Sequence, residues 1–341
     1  MTRTERHKAI VKRRIFIAVC VCVLAALILL IAFVIKSAFG GKKTDGSDVS
    51  QGSSSAAGEI VSDVSSEDPT PSYPATGPNG LDANYEQLLL VNAQNPLPEN
   101  YDYEGNLTEI PTKYINGMLK QIDKNVWPYM QAMIDAQRAT QTDSKNWLYV
   151  RSPYRSYSTQ KMLFDNETKK WLATGLSSEE AEAKAATVVT RPGTSEHNTG
   201  FSADFNIAED SFESTPMFTW MQEHAADYGF VLRFPKDKQE KTGIVYESWH
   251  YRFVGAPHAA LMKQNNLCLE EYLEWIRDYT PSGNPAAITV NGTYYEVYYV
   301  PAVQGNPTEV PVPKSDSYTV SGDNIGGFVV TVQATIGGSG N

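Results

Sequence analysis

Cysteine is nearly absent from this chain. There are three in 341 residues, and two of them, Cys20 and Cys22, sit inside an apolar run near the N-terminus. Only Cys268 lies beyond that run, so no intrachain disulfide can form there and no thiolate cluster can hold a metal. Whatever folds after the run is held by its core, and the roughly 300 residues available are enough to build one. Histidine is scarce as well. Of five, His7 precedes the apolar run, which leaves His197, His224, His250 and His258 for imidazole chemistry on its other side. Positive charge is in deficit, with 29 Lys and Arg against 39 Asp and Glu and a formal net charge of −10. The N-terminal segment is basic, so the remainder is more acidic still. That excludes the basic face that nucleic-acid binding requires.

The single long hydrophobic run is Ile15 to Ile35, 21 residues without a charge, bounded by Arg13-Arg14 and Lys36. As a helix it spans about 30 Å, enough to cross a bilayer. Six Lys and Arg precede it and three follow shortly after, which predicts residues 1–14 as a cytoplasmic tail and the remainder outside. A cleaved signal peptide has a shorter apolar region and a small-residue cleavage site, and Ser37-Ala-Phe-Gly is a poor one, so an uncleaved anchor over residues 15–35 is favoured. Residues 36–80 follow, rich in Gly, Ser, Asp, Thr and Pro and poor in large apolar side chains, and read as a flexible tether.

From Leu88 the pattern is globular. Ile115, Met118, Leu119, Ile122 and Val126 recur at helical spacing and predict an amphipathic helix, restarted at Pro128. Trp147 to Arg151 is a short strand, Tyr157 to Ala173 a helix, and Ser177-Ser-Glu-Glu180 a capping box opening another. Phe201, Ala203, Phe205 and Ile207 alternate with Ser202, Asp204 and Asn206, which is strand periodicity with Asp204 on the polar face. Leu269 to Tyr279 forms a last helix. Beyond Pro281, Asn291-Gly292 between two β-rich runs is a hairpin signal, and Tyr318 and Phe328 begin two further strand candidates.

Two segments concentrate the chemistry. Residues 195–204 read Ser-Glu-His-Asn-Thr-Gly-Phe-Ser-Ala-Asp, and residues 247–252 read Glu-Ser-Trp-His-Tyr-Arg. Two imidazoles and one carboxylate, with a spare glutamate beside the second His, have the composition of a catalytic zinc site: three N/O ligands, a position left open and a nearby base. On this reading His197, Asp204 and His250 are the ligands and Glu247 is the base. Glu247 and His250 are three apart, so a turn at Ser248 is needed if the pair straddles a strand start. His224 and His258 lie in helix-like stretches and read as ordinary surface or packing residues.

The wording of these segments resembles the VanY-type zinc D-alanyl-D-alanine carboxypeptidases, which trim peptidoglycan stem peptides. Three stretches carry the resemblance in order: Ser152-Pro-Tyr-Arg-Ser-Tyr-Ser-Thr-Gln160, Pro192-Gly-Thr-Ser-Glu-His-Asn-Thr-Gly-Phe-Ser-Ala-Asp204 and Glu247-Ser-Trp-His-Tyr-Arg-Phe-Val-Gly255. Leu90 to Pro98 is similar to the start of that domain, and the likeness runs over roughly residues 85–278. Pro153 stands where the family commonly has Gly, and Ser248 where it commonly has Pro. The resemblance implies that Glu247 is the catalytic base and that Arg155 supports the scissile carbonyl or the substrate's terminal carboxylate, against the alternative of an ordinary salt bridge. Gln160, Ser195 and Trp249 either line the pocket or pack behind it.

The resulting expectation is an α+β protein. A zinc peptidase domain over residues 81–280, helices packed on a small, mainly antiparallel sheet, follows an N-terminal transmembrane helix and precedes a β-rich C-terminal appendage over residues 281–341. The apolar run implies a membrane anchor with the domain on the outer side, and the resemblance implies a zinc carboxypeptidase of the bacterial wall, removing a terminal D-alanine from stem peptides with DD or LD specificity. The competing class is a non-catalytic wall-binding module that keeps its zinc as a structural element; the presence of Glu247 favours the enzyme. Oligomeric state is not legible.

Overall fold

The computed structural model describes residues 87–98, 101, 106–303, 307–313 and 317–333. The expected tail, membrane helix and tether over residues 1–80 lie outside the described residues, and among those described no helix is long and apolar enough to cross a membrane.

The chain opens with a two-stranded antiparallel ribbon, β1 (Leu107–Glu109) and β2 (Gln121–Asp123), and continues into helix α1 (Trp127–Ala139). The ribbon corrects the expected helix over 115–126. The apolar residues there have helical spacing, but their backbone groups are committed elsewhere. The Ile110 amide donates to the Lys120 carbonyl and the Asn116 amide to the Val150 carbonyl, while Ile115 bridges Val150. Gly117 lies so close to the neighbouring chain that a Cβ there would collide with the Arg151 carbonyl. Met118, expected on the buried stripe, is 94% exposed. The helix begins at Trp127 instead, with Pro128 in its first turn, where the missing N–H costs nothing.

Strand β3 (Val150–Ser152) leads into α2 (Tyr157–Leu172), capped by the Ser156 hydroxyl, and α3 (Ser178–Ala186) carries the expected Ser177/Glu180 capping box. A 3₁₀ turn over Glu196–Thr199 ends at Gly200, whose φ of 73° lets the chain reverse into β4 (Ser202–Phe205). Helix α4 (Pro216–His224), β5 (Phe230–Leu232), β6 (His250–Phe253), α5 (Ala256–Asn265) and α6 (Leu269–Trp275) complete the first part. The central sheet has the order β3-β4-β6-β5 and is antiparallel throughout. Strand alternation divides its side chains. Ala203, Phe205, Tyr251 and Phe253 join Met130, Met133 and Ile134 of α1 in one hydrophobic cluster. Ser202, Asp204, His250 and Arg252 take the other face and are buried as well.

The remaining strands are β7 (Ala286–Val290), β8 (Thr293–Pro301), β9 (Ser317–Gly322) and β10 (Gly327–Gln333), in the antiparallel order β7-β8-β10-β9. Asn291 and Gly292 both have positive φ, 51° and 79°, as the two-residue hairpin turn demands. The expected strands are present, but they are not appended to a finished domain. Ala286, Val297, Tyr299 and Val329 share one buried cluster with Leu88, Leu90, Val254, Leu269, Tyr272 and Leu273. The Leu90 amide donates to the Asp323 carbonyl at 3.1 Å, and Asn324 Nδ2 returns a bond of 2.9 Å to the Leu90 carbonyl. His258 completes the seam. It is fully buried, with Nδ1 2.7 Å from the Tyr272 hydroxyl and Nε2 2.8 Å from Thr331 Oγ1, and burial pushes its pKa down to about 3.

Removing residues 281–341 should therefore unfold the part that remains. Residues 80–280 alone should lack the cooperative thermal transition of residues 80–341 in calorimetry. An equally cooperative transition at an unchanged midpoint would show that the C-terminal sheet is independent.

Candidate metal centre

The central sheet brings the scattered polar residues together. Asp204 in β4 and His250 at the head of β6 are cross-strand partners, and Ser152 at the end of β3 pairs with Asp204 on its other side. His197 arrives from the 3₁₀ turn before β4. Glu247 lies in the turn before β6, where the His250 amide donates back to the Glu247 carbonyl at 3.3 Å. One ligand-type atom from each of His197, Asp204 and His250 falls within 4.8 Å of the others. His197 Nε2 is 3.4 Å and His250 Nδ1 is 3.2 Å from the same oxygen, Asp204 Oδ1. Glu247 Oε2 lies 3.4 Å from His250 Nδ1.

The donor set fits a small divalent cation. Asp204 Oδ1 is buried and has no hydrogen-bond partner among the described residues, while Oδ2 accepts from Arg155 Nη2 at 2.6 Å. An unpaired buried carboxylate oxygen between two imidazoles is an arrangement a cation would complete. His197 Nδ1 is 2.8 Å from the Pro153 carbonyl, so it carries the proton and leaves Nε2 as the free donor. Two nitrogens and one oxygen, with a fourth position open, suit zinc.

Burial and neighbouring charge set the protonation states. Burial would raise the Asp204 pKa, but His197 and Arg155 outweigh it and hold the group well below the usual carboxylate range. Burial, reinforced by Arg155, pushes His197 down to about 4. Burial also works against charge on His250, yet its contacts with Asp204, Glu196 and Glu247 prevail and raise it well above the ordinary value. Glu247 is 8% exposed, and burial raises its pKa despite the opposing pull of His250.

A cleft of about 430 Å³ opens over this cluster, and Arg155, Gln160, Ser195 and Trp249 all reach its wall. Arg155 is more constrained than a simple substrate clamp. Its guanidinium pairs with Asp204, donates to Ser152 Oγ at 2.9 Å and reaches Gln160 Oε1 at 3.4 Å. Gln160 is fully buried and donates to the Thr190 carbonyl at 2.8 Å, so it also packs behind Arg155. Pro153 contributes the carbonyl that orients His197, and Ser248 is fully buried in the turn ahead of His250. His224 is half-buried beside Glu223 and Asp227, and His258 belongs to the C-terminal seam; neither joins the cluster.

One group escaped the sequence reading. Glu196, buried between Ser195 and His197, accepts from Arg233 Nε at 2.7 Å and lies 3.0 Å from Arg252 Nη1. Arg233 in turn grips Glu270 with two bonds of 2.8 and 2.6 Å. Arg252 alternates with His250 along β6, which was the one available hint that it shares the polar face. Nothing in the sequence marked Arg233 or Glu270.

A family model described as "VanY: D-alanyl-D-alanine carboxypeptidase" matches residues 119–256. A D-alanyl-D-alanine carboxypeptidase of Enterococcus faecium is 32% identical over 252 residues, covering 72% of this chain and 74% of that protein. The chain belongs to the VanY family. A second relative, a D-alanyl-D-alanine carboxypeptidase of Enterococcus faecalis (strain ATCC 700802 / V583), is 38% identical over 209 residues, 61% of this chain and 73% of its own length. Among solved structures, the vancomycin-resistance D,D-dipeptidase VanXYg, in complex with a D-Ala-D-Ala phosphinate analogue, is similar with a TM-score of 0.61 at 30% identity, over 73% of this chain and 94% of that one.

Contacts with Asp204, Glu196 and Glu247 raise the His250 pKa well above the ordinary value and so favour the imidazolium without a metal, and the Nδ1 proton must leave before that atom can act as a ligand. Metal uptake should therefore release about one proton, and zinc affinity should weaken by about tenfold for each unit that pH falls below the raised pKa of His250. Competition with a chromophoric chelator across a pH series reads this directly. A pH-independent affinity would mean that His250 is already neutral without the metal.

Proposed function

We propose that this VanY-family chain is a zinc carboxypeptidase that removes the terminal D-alanine from peptidoglycan stem peptides, on the outer side of a bacterial membrane in which residues 15–35 anchor it. The observation that carries the chemistry is the buried cluster of His197, Asp204 and His250 beneath a cleft, with the Glu247 carboxylate 3.4 Å from His250. The relatives named as D-alanyl-D-alanine carboxypeptidases supply the substrate class.

In this reading His197 Nε2, His250 Nδ1 and Asp204 Oδ1 would hold the zinc, Arg155 keeps Asp204 oriented, and the Pro153 carbonyl keeps His197 oriented. A zinc ion held there supplies Lewis acidity, polarising the scissile carbonyl and acidifying water. Glu247 accepts a proton from the attacking water as the water oxygen bonds to the carbonyl carbon. It then delivers that proton to the departing amine nitrogen as the C–N bond breaks, so the same carboxylate serves twice. Burial favours this, because a carboxylate with a raised pKa is both a competent base and a competent acid once protonated. Arg155, on the cleft wall, adds positive charge where the carbonyl oxygen or the terminal carboxylate would sit. The membrane reading rests on the uncharged run and its flanking charges alone.

Defined tripeptide, tetrapeptide and pentapeptide stems, incubated with the protein and examined by mass spectrometry, should reveal loss of a single alanine from the pentapeptide, the tetrapeptide or both. No cleavage of any stem by the zinc-loaded protein would leave a non-catalytic binding module. Glu247→Gln keeps the size of the side chain and removes the proton acceptor. Turnover should fall by about 10²–10⁴-fold while zinc content stays near one per chain. Retained turnover would remove Glu247 from the base role, and lost zinc would make it a ligand. An epitope tag after Asn341 should be reached by antibody on intact spheroplasts, and a tag before Met1 should not; the opposite pattern would reverse the topology.

A further inference from the structure

Glu196 takes no part in the steps above, yet it is among the most enclosed charges in the protein, at 3% exposure. Its Oε1 is committed to Arg233 at 2.7 Å and Arg252 at 3.0 Å. Its Oε2 is buried and has no hydrogen-bond partner among the described residues, and the same is true of His250 Nε2. These two atoms face each other at 3.8 Å. Buried polar atoms are rarely left unpaired, and an approach of about 1 Å would bring this pair within hydrogen-bond distance. The other nitrogen of the same ring, Nδ1, is the one directed at Asp204 Oδ1. Nε2 therefore points away from the metal side.

We propose that Glu196 is a positioning residue of the metal site: its Oε2 accepts the Nε2–H of His250, which fixes the ring and its tautomer so that the Nδ1 lone pair faces the metal. The inference rests on the reading of His250 as a ligand. The carboxylate is well placed to be rigid. Arg233 is anchored by two bonds to Glu270 on α6, and Arg252 Nη2 donates to the Gln87 and Leu89 carbonyls at 3.0 Å each. The two imidazoles are thus oriented by different acceptors, His197 by a neutral carbonyl and His250 by a carboxylate. An anionic acceptor makes the ring a more basic ligand. It also couples the metal site to the packing of α6 and of the segment that runs beneath the C-terminal sheet.

The test compares two variants of the full-length chain, Glu196→Gln and Glu270→Gln. Each removes one carboxylate from Arg233, but only the first touches His250. Zinc affinity is measured by chelator competition, and ligand geometry by the visible absorption of the cobalt(II)-substituted protein. Glu196→Gln should weaken zinc by about 10–100-fold and shift the cobalt bands, while Glu270→Gln keeps both even if it melts earlier. Unchanged affinity and an unchanged spectrum in Glu196→Gln would overturn the proposal. So would equal weakening in the two variants, which would reduce Glu196 to a structural role. If Glu196→Gln does not fold, Glu196→Asp keeps the charge and shortens the reach by one methylene, and it is held to the same outcomes. His250→Ala separates the two layers. Retained stoichiometric zinc there would sink the ligand reading and this proposal with it. Lost zinc there, beside normal affinity in Glu196→Gln, would sink this proposal alone.

Discussion

Asp204 and His250 sit opposite each other on adjacent antiparallel strands, and the catalytic reading depends on that register. Side chains alternate along a strand, so a slip of one residue would turn Asp204 into the hydrophobic cluster around α1 and bring a phenylalanine or an alanine to the metal side. The register is protected by its reverse face. Ala203, Phe205, Tyr251 and Phe253 must all be buried against Met130, Met133 and Ile134 for the core to close. Packing on one face thus positions the chemistry on the other. The Glu247 turn and the 3₁₀ turn carrying His197 need only bring their side chains to a place the sheet has already defined.

That polar face is expensive to bury. Asp204, Glu196 and Glu247 are enclosed with His197 and His250, and an isolated ion in such surroundings would cost several kcal/mol. Arginines offset the cost: Arg155 for Asp204, Arg233 and Arg252 for Glu196, with Glu270 balancing Arg233 in turn. Glu247 has no arginine at ion-pair distance among the described residues, and burial raises its pKa against the pull of His250 and the weaker pull of Arg155. The uneven compensation suits the division of labour. Asp204 and Glu196 each have one oxygen held by arginine, whereas the group that must exchange a proton is held by none at ion-pair distance among the described residues.

The C-terminal sheet enters the same economy of packing. The segment from Leu88 to Pro96 runs between the peptidase core and the β9–β10 turn, tied down by Asp323 and Asn324, while Asn92 and Gln94 reach the cleft wall. One wall of the cleft is therefore braced by residues more than two hundred positions away. Alternation and the Asn-Gly turn made these strands legible, but not their shared core. A short amphipathic strand shows that one face is buried without showing against what. The expected helix over 115–126 fell for a related reason. Five apolar residues at helical spacing are also compatible with a ribbon and an irregular loop when Gly117 allows the chain to lie against β3.

The chemistry available to this protein is already legible in its residue types and their spacing. With so few His and Cys, only one pairing of short motifs could offer two imidazoles, a carboxylate and a spare base, and the three ordered stretches around them pointed to the VanY family. The local punctuation is legible as well, in the Ser177/Glu180 box, the turn at Gly200 and the Asn291-Gly292 hairpin, because those signals act within a few residues. Long-range packing was needed to establish which nitrogen of each imidazole faces the metal side, that Arg155 pairs with Asp204 as well as lining the cleft, and that Glu196, Arg233, Arg252 and Glu270 form one buried network. Those facts depend on contacts between residues dozens of positions apart. Their geometry is set by the closing of two hydrophobic clusters, and no local pattern encodes where such clusters will place a charge.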